Sequence, residues 1–198
     1  VLVAYHDHEL SASTNLSGLI NEHTYEEVRS GHYLYGPYKS FNIVSLQEIL
    51  SSVPHPGDHV YTLDCKLHPA MDEELYQRTF IRAIRRLADE FGVITNFKIE
   101  SENTNFLKSC RPTLYGTELY YYTSQAGEGI SVAKEMGLDG ITISNSLVSS
   151  QDVDEAHDKG LKVTIWDVIK KSDNLSAARK RPDCIQTDEI KSLIRLLR

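Results

Sequence analysis

The sequence predicts an α/β protein with a parallel sheet, and three observations support this fold class. Short apolar runs rich in Val, Ile, Thr and Tyr alternate with helical stretches along the whole chain. Several runs are apolar on both faces, as the strands of a covered parallel sheet are. Polar residues, among them Asp64, Glu118 and Asp167, gather at the ends of several runs, where chemistry is expected. No Gly-rich phosphate loop follows any of these runs, which favours a TIM-type (β/α)8 barrel over an open nucleotide-binding sheet.

Seven runs are predicted to be strands. In chain order they are Val1–His6, His59–Leu67, Val93–Ile99, Leu114–Tyr122, Gly140–Ser144, Lys162–Asp167 and Cys184–Thr187. Because strand, helix, strand connections are right-handed and produce parallel pairs, this order predicts one parallel sheet. We interpret residues 1–198 as a single domain.

Helix start and stop signals lie between these strands. Capping boxes begin at Thr24 and Ser45. A longer helix is expected over Asp72–Phe91, with an apolar stripe that includes Leu75 and with Gly92 at its end. The remaining helices are predicted at Ser149–Gly160 and Asp173–Arg181, and Ser30–Asn42 is predicted to be a long loop that overhangs the site.

The predicted barrel is incomplete at its N-terminus. Complete barrels of this type typically need about 250 residues, so a chain of 198 residues is about one or two βα units short. The sequence opens at Val1 within an apolar run, which predicts that further strands precede it. An incomplete barrel exposes an apolar edge, so we expect a partner or a homo-oligomer. The sequence does not choose between the cytoplasm and a bacterial cell envelope.

Composition excludes several classes of function. The net charge of −7 does not suggest a nucleic-acid surface, and no apolar run reaches transmembrane length. The three cysteines, Cys65, Cys110 and Cys184, are odd in number and contain no CxxC pair. We therefore expect free thiols rather than a disulfide framework or a zinc knuckle.

Three segments carry candidate catalytic chemistry. His6 ends the first predicted strand and could act as a general acid or base, whereas we interpret His8 as a structural residue of the following loop. Asp64 could ligate Mg²⁺ or Ca²⁺, and Lys66 could hold a phosphate oxygen; the alternative is a buried Asp–Lys ion pair. Trp166 is either an apolar wall for a substrate or an ordinary core aromatic.

Six segments, in order along the chain, resemble motifs of the glycerophosphodiester phosphodiesterase family. They are His6–Gly18 (HD-x-x-L-x-R-T-T-N-G-x-G), Thr24–Val28 (T-x-E-E-L), Ile43–Leu50 (P-T-L-E-E-V-L), Leu63–Lys66 (I-E-x-K), Val163–Val168 (V-x-x-W-T-V-N) and Pro182–Asp188 (D-G-I-x-T-D). The family's H-R-G, P-E-N-T and E-L-D segments have no match here. Asp64 stands where the family usually has Glu, and Ala12, Leu16 and Ile169 replace its Arg, Gly and Asn.

The resemblance implies metal-dependent hydrolysis of a glycerophosphodiester to glycerol 3-phosphate and an alcohol. It implies that His6 protonates the leaving alcohol and that Asp64 ligates a divalent cation, Mg²⁺ or Ca²⁺. Lys66 would neutralise the phosphoryl oxygens, and Trp166 would line the substrate entrance. The partner implied is therefore a small-molecule substrate.

Two alternatives remain open from the residues. The His6-x-His8 pair also resembles the H-x-H metal motif of amidohydrolase-like barrels, which need further histidines at later strand ends; His68 is the best placed of these. The chain could instead be a catalytically incomplete barrel that acts as a binding partner. Asp188 is expected to cap the last helix rather than to react.

Overall fold

The computed structural model describes residues 1–68 and 70–198. Their contacts divide into two compact units. Unit 1 comprises Val1–Val60 and Lys66–Asn96, and unit 2 comprises Tyr61–Cys65 and Phe97–Arg198.

Unit 2 is built on a six-stranded, wholly parallel sheet. Its strands are β1 (Tyr61–Asp64), β2 (Phe97–Ser101), β3 (Glu118–Tyr122), β4 (Gly140–Ser144), β5 (Lys162–Val168) and β6 (Cys184–Thr187). They lie side by side in chain order, without the reversal of order that marks a doubly wound sheet. This sequential order is that of a (β/α) barrel, so the predicted fold class is confirmed for the six strands.

Five helices of unit 2 connect these strands and follow the last one. They are α4 (Thr104–Cys110), α5 (Ala126–Glu135), α6 (Ser150–Asp158), α7 (Lys171–Arg179) and α8 (Ile190–Leu196), where α1 to α3 belong to unit 1. The first four pack on the sheet, which faces them with fully buried apolar side chains such as Ile99, Leu119, Ile141, Val163 and Ile165. Period-two alternation sends the intervening side chains to the opposite face.

Unit 1 contains helices α1 (Tyr25–Ser30), α2 (Leu46–Ser52) and α3 (Glu73–Phe91). Both predicted capping boxes are present, at Thr24 and Ser45. Short 3-10 turns and isolated bridges link the remaining segments around a small core of Leu10, Ile20, Val28 and Ile43.

Several predicted elements are wrong or shifted. Residues Val1–His6 do not form a strand, because only an isolated antiparallel bridge joins Val3 to Ser45. The predicted strand over Val93–Ile99 starts four residues later, since Ile94–Asn96 is a 3-10 turn. Leu75, assigned to the apolar stripe of α3, is 51% exposed. An apolar run alone does not specify whether a neighbouring strand is there to pair with it.

Other predictions hold. Strands β4 and β6 have the predicted bounds. Asp72 caps α3 with its side chain and Gly92 ends it in the left-handed conformation. Cys65, Cys110 and Cys184 are thiols outside any disulfide. Among the described residues, no helix combines the length and apolarity needed to cross a membrane.

Candidate active site

The sheet of unit 2 has a polar face opposite its helices. We define the polar face as the alternate strand residues Thr62, Asp64, Lys98, Glu100, Glu118, Tyr120, Tyr122, Thr142, Ser144, Lys162, Thr164, Trp166, Cys184 and Gln186. A sheet packed only for stability would have no need of so many polar side chains on one buried face.

Hydrogen bonds across the polar face show that the sheet curls toward it. The Glu100 carboxylate on β2 accepts from the Thr142 hydroxyl on β4 at 2.8 Å, and from the Gln186 amide on β6 at 3.1 Å. Strands β2 and β6 are four positions apart, which corresponds to about 19 Å in a flat sheet. Only strong curling brings these side chains together, as the interior of a barrel requires.

The amino end of the polar face is a set of matched charges. Glu118, the first residue of β3, bonds to the ammonium groups of Lys162 and Lys98, the latter at 3.5 Å, and accepts from the Tyr120 hydroxyl at 2.8 Å. Glu118 had been predicted to mark a strand end that carries chemistry. This prediction is wrong, because β3 begins at Glu118 and the residue lies at the opposite end of the sheet.

The carboxyl end of the polar face carries two carboxyl groups that differ in burial. Asp64 at the end of β1 is exposed and lies opposite Glu100 in the parallel register, whereas Glu100 is only 2% exposed. Burial raises the pKa of the Glu100 carboxyl; the hydrogen bonds from Thr142 and Gln186 oppose this rise without cancelling it, and the charge of Asp64 adds to it. A buried carboxyl with a raised pKa at strand ends is typical of a functional site.

An aromatic pair lies at the same end of the sheet. The rings of Tyr122 on β3 and Trp166 on β5 stack with centroids 5.5 Å apart and an angle of 28° between their planes. The indole Nε1 of Trp166 is buried and has no hydrogen-bond partner among the described residues. Leaving such a donor unpaired costs about 1–3 kcal/mol, so the position of this ring is not one that stability alone selects.

The residue after Trp166 has a strained backbone. Asp167 has a φ of 61°, in the left-handed region, and the pairing of β5 with β6 shifts register between Ile165 and Val168. The Ser144 hydroxyl donates to Asp167 Oδ2 at 3.1 Å and fixes the carboxylate. Bulges and strained non-glycine residues cluster at functional sites because they re-aim side chains there.

Unit 1 holds an ordered histidine–aspartate pair. His6 Nδ1 lies 2.9 Å from Asp7 Oδ1, and the Ser13 hydroxyl donates to Asp7 Oδ2 at 3.2 Å. The hydrogen bond with His6 lowers the pKa of the Asp7 carboxyl despite its partial burial, and the positive charge of Lys66 lowers it further. Asp7 therefore orients the imidazole through Nδ1, and Nε2 is the nitrogen that such a contact leaves for another partner.

Two further histidines touch each other in unit 1. The rings of His8 and His68 meet edge to face with centroids 4.5 Å apart, and His68 Nδ1 is buried without a hydrogen-bond partner among the described residues. Burial lowers the pKa of His68, and His8 lowers it further. His8 is itself exposed, and its interpretation as a structural residue stays a prediction.

The structure therefore places the four predicted site residues in two groups. Asp64 and Trp166 belong to the carboxyl end of the polar face in unit 2, and His6 and Lys66 belong to unit 1. Across the described part of the chain, no three His, Cys, Asp or Glu residues come together in a way that could hold a metal ion. The oxygen donors of Asp64 and Glu100 suit Mg²⁺ or Ca²⁺, but they supply only part of a ligand set.

Sequence reasoning missed Glu100, Tyr122 and Gln186. The signal for Glu100 was present, because Lys98 and Glu100 alternate with apolar residues within one run and so point to one face of a strand. Asp188 was expected to cap the last helix. This is wrong, since the N-cap of α8 is Glu189, which has no side-chain cap bond, and its amide donates to the Thr187 hydroxyl.

A parallel sheet in sequential order, with polar and strained residues at its carboxyl end, defines the chain as a protein of the (β/α)-barrel enzyme class. Comparison with known proteins makes this specific. The family model of the glycerophosphoryl diester phosphodiesterase family matches residues 1–192, and the chain belongs to this family, whose members are phosphoric diester hydrolases.

Individual relatives agree with this assignment. A glycerophosphodiester phosphodiesterase of Bacillus altitudinis is 27% identical over 84 residues, which cover 39% of this chain and 34% of that protein. The match thus spans about a third of the length of this curated relative.

Solved structures share the fold at low sequence identity. A crystal structure described as a putative glycerophosphoryl diester phosphodiesterase from Silicibacter pomeroyi has a TM-score of 0.85 at 22% identity, with 98% of this chain and 78% of that one covered. A phosphodiesterase from Oleispira antarctica, in complex with the product sn-glycerol-3-phosphate, has a TM-score of 0.79 at 19% identity and the same coverage. A glycerophosphodiester phosphodiesterase from Thermotoga maritima has a TM-score of 0.69 at 15% identity.

Proposed function

We propose that this chain is part of a single (β/α)8-barrel domain that hydrolyses glycerophosphodiesters to glycerol 3-phosphate and an alcohol. The family match over residues 1–192 is the observation that carries the proposal. The carboxylates, aromatic pair and strained residue at the carboxyl end of the sheet support it, because barrel enzymes place their chemistry there. The Oleispira relative, solved with sn-glycerol-3-phosphate, supports the choice of product.

His6 is the proposed general acid. Its Nδ1 bonds to Asp7, which stabilises the protonated imidazole and fixes the tautomer. As a water oxygen bonds to phosphorus and its proton passes to the solvent, the bond from phosphorus to the alcohol oxygen breaks and that oxygen takes the proton from Nε2. The side chain of His6 is exposed, so a substrate can reach its Nε2.

Asp64 is the proposed ligand of a divalent cation, Mg²⁺ or Ca²⁺. When bound, such a cation neutralises charge on the phosphoryl oxygens. Lys66 is proposed to bind one of these oxygens as a point charge, since its ammonium also acts on the nearby Asp7. Trp166 is proposed to provide the apolar wall against which the substrate lies.

The experiment is to incubate the chain with glycerophosphocholine and glycerophosphoethanolamine, with Mg²⁺ or Ca²⁺ and with a chelator, and to identify the products. The proposal predicts cation-dependent release of glycerol 3-phosphate. Release of the phosphorylated alcohol, or a requirement for Zn²⁺, would replace it with the H-x-H hydrolase interpretation. The mass of the same preparation in solution tests the expected homo-oligomer.

A further inference from the structure

We propose that Tyr122, Trp166 and Asp167 form a subsite for a positively charged alcohol group, so that the preferred substrates are glycerophosphodiesters of amino alcohols such as choline. This inference rests on the proposed function for the identity of the substrate. It concerns different residues from those proposed for hydrolysis, apart from Trp166, and it predicts a binding property that can be measured without turnover.

The aromatic pair is the first observation. Tyr122 and Trp166 stack closely, yet both rings remain only partly buried, so part of their surface is left for a ligand. The faces of aromatic rings attract cations, and tryptophan does so best of all. The unpaired Nε1 of Trp166 shows that the ring is held in this position at the expense of a hydrogen bond.

Asp167 is the second observation. In the family motif W-T-V-N the residue after the tryptophan is threonine, and in this chain it is an aspartate. Its left-handed φ is unfavourable for most residues, and the Ser144 hydroxyl fixes its carboxylate. A strained carboxylate that follows directly on an aromatic residue supplies the negative charge that an uncharged threonine could not.

The charges around the aromatic pair are the third observation. Burial raises the pKa of the Tyr122 hydroxyl, and the negative charges of Asp64, Glu102, Asp167 and Glu100 raise it further. In the six strands that the structure describes, none of the last two residues is Lys or Arg. The two lysines of the polar face lie at its other end, where both bond to one glutamate.

These features together favour a cation over a neutral group. An ammonium would gain both the ring faces and the carboxylate, while a neutral alcohol of the same shape would gain only apolar contact. The anionic phosphodiester needs a separate binding partner, which is the role proposed for Asp64 with its cation and for Lys66. A choline diester carries both, because its ammonium is positive and its phosphodiester is negative.

The test uses the fluorescence of Trp166, which is the only tryptophan of the chain. The emission is titrated with choline and with neopentylcarbinol, in which carbon replaces the nitrogen of choline, with Mg²⁺ present and with a chelator. We expect choline to bind about tenfold more tightly than its neutral isostere. Asp167→Asn should reduce this preference to about threefold or less, since asparagine tolerates the left-handed backbone and keeps an acceptor for Ser144.

Asp158→Asn, which removes an exposed carboxylate from the end of α6, is the matched control and should leave the preference unchanged. Equal binding of the two probes, or no saturable change in emission with either, would overturn the inference. If choline is preferred but no glycerophosphodiester is cleaved, the subsite stands and the proposed hydrolysis fails. If diesters are cleaved without preference between choline and its isostere, the hydrolysis stands and the subsite fails.

Discussion

The two ends of the polar face have similar residues but opposite organisation. At the amino end, Glu118 is matched by Lys98, Lys162 and the Tyr120 hydroxyl. At the carboxyl end, Asp64 and Glu100 lie in register on neighbouring strands, so that like charges meet. Matched charges within a sheet contribute to stability, whereas adjacent carboxylates oppose it unless a ligand joins them.

This difference indicates that the two ends of the strands have different roles. Barrel proteins use the amino end of their sheet for stability and the carboxyl end for chemistry. The strain at Asp167 and the unpaired indole of Trp166 lie at the carboxyl end, as expected if stability has been given up for function there. Four substitutions test this difference in roles and the proposed mechanism, in order of decreasing expected effect.

His6→Ala should lower turnover by about 10³-fold with little change in KM, because it removes the group proposed to protonate the leaving alcohol. The measurement is steady-state hydrolysis of glycerophosphocholine. His8→Ala is the matched control, since His8 packs against His68 and has no proposed role in catalysis. Normal turnover in His6→Ala would remove His6 from the mechanism.

Asp64→Asn should weaken binding of Mn²⁺, used as a paramagnetic substitute for Mg²⁺, by about 10- to 100-fold. The substitution keeps the shape of the side chain and removes the charge that attracts the cation. Free Mn²⁺ measured by electron paramagnetic resonance gives the affinity directly, with Asp158→Asn as the control. Unchanged affinity would mean that the cation, if there is one, is bound elsewhere.

Glu118→Gln should destabilise the fold by about 1 kcal/mol, or about 3 °C in the melting temperature, and leave turnover unchanged. Burial tends to raise the pKa of Glu118, but the bonds from Lys162 and Tyr120 and the two lysine charges lower it overall. A lowered pKa means that the stabilisation is present above the ordinary value of 4.5 and is lost as the pH falls below it. Wild type and variant should therefore converge in stability in acid.

Glu100→Gln should show the opposite pH dependence. The pKa of Glu100 is raised in the folded protein, so ionisation of this buried carboxyl costs stability as the pH rises above 4.5. The variant keeps an acceptor for Thr142 and Gln186 and has no charge to bury. Urea unfolding without divalent cations should show that Glu100→Gln becomes increasingly more stable than wild type as the pH rises. An equal change of the free energy of unfolding with pH in both proteins would contradict the raised pKa.

The sequence predicted what depends on local pattern. The capping boxes at Thr24 and Ser45, the left-handed Gly92 and the bounds of β4 are set by residues close in the chain, and all were predicted correctly. The Val1–His6 segment was predicted wrongly, because whether an apolar run pairs as a strand depends on neighbours distant in sequence.

The candidate site was predictable only in part for the same reason. His6, Asp64, Lys66 and Trp166 were proposed from residue type and family motif, and the structure does not test their roles. The network of Glu100 with Thr142 and Gln186 joins residues 42 and 86 positions apart, so no local pattern reveals it. Likewise, the assignment of Glu118 failed because the strand starts there, and a strand boundary decides at which end a charge lies.

The central claim is that the two ends of the polar face have different tasks, and its most direct test is hydrolysis of glycerophosphocholine by Asp64→Asn and Glu118→Gln, measured side by side with their melting temperatures. The account predicts that Asp64→Asn loses about 10- to 100-fold in turnover at limiting cation concentration while being at least as stable as wild type. It predicts that Glu118→Gln melts earlier and retains turnover within about twofold. Loss of turnover in Glu118→Gln at a temperature where it is folded, or full turnover in Asp64→Asn, would contradict it.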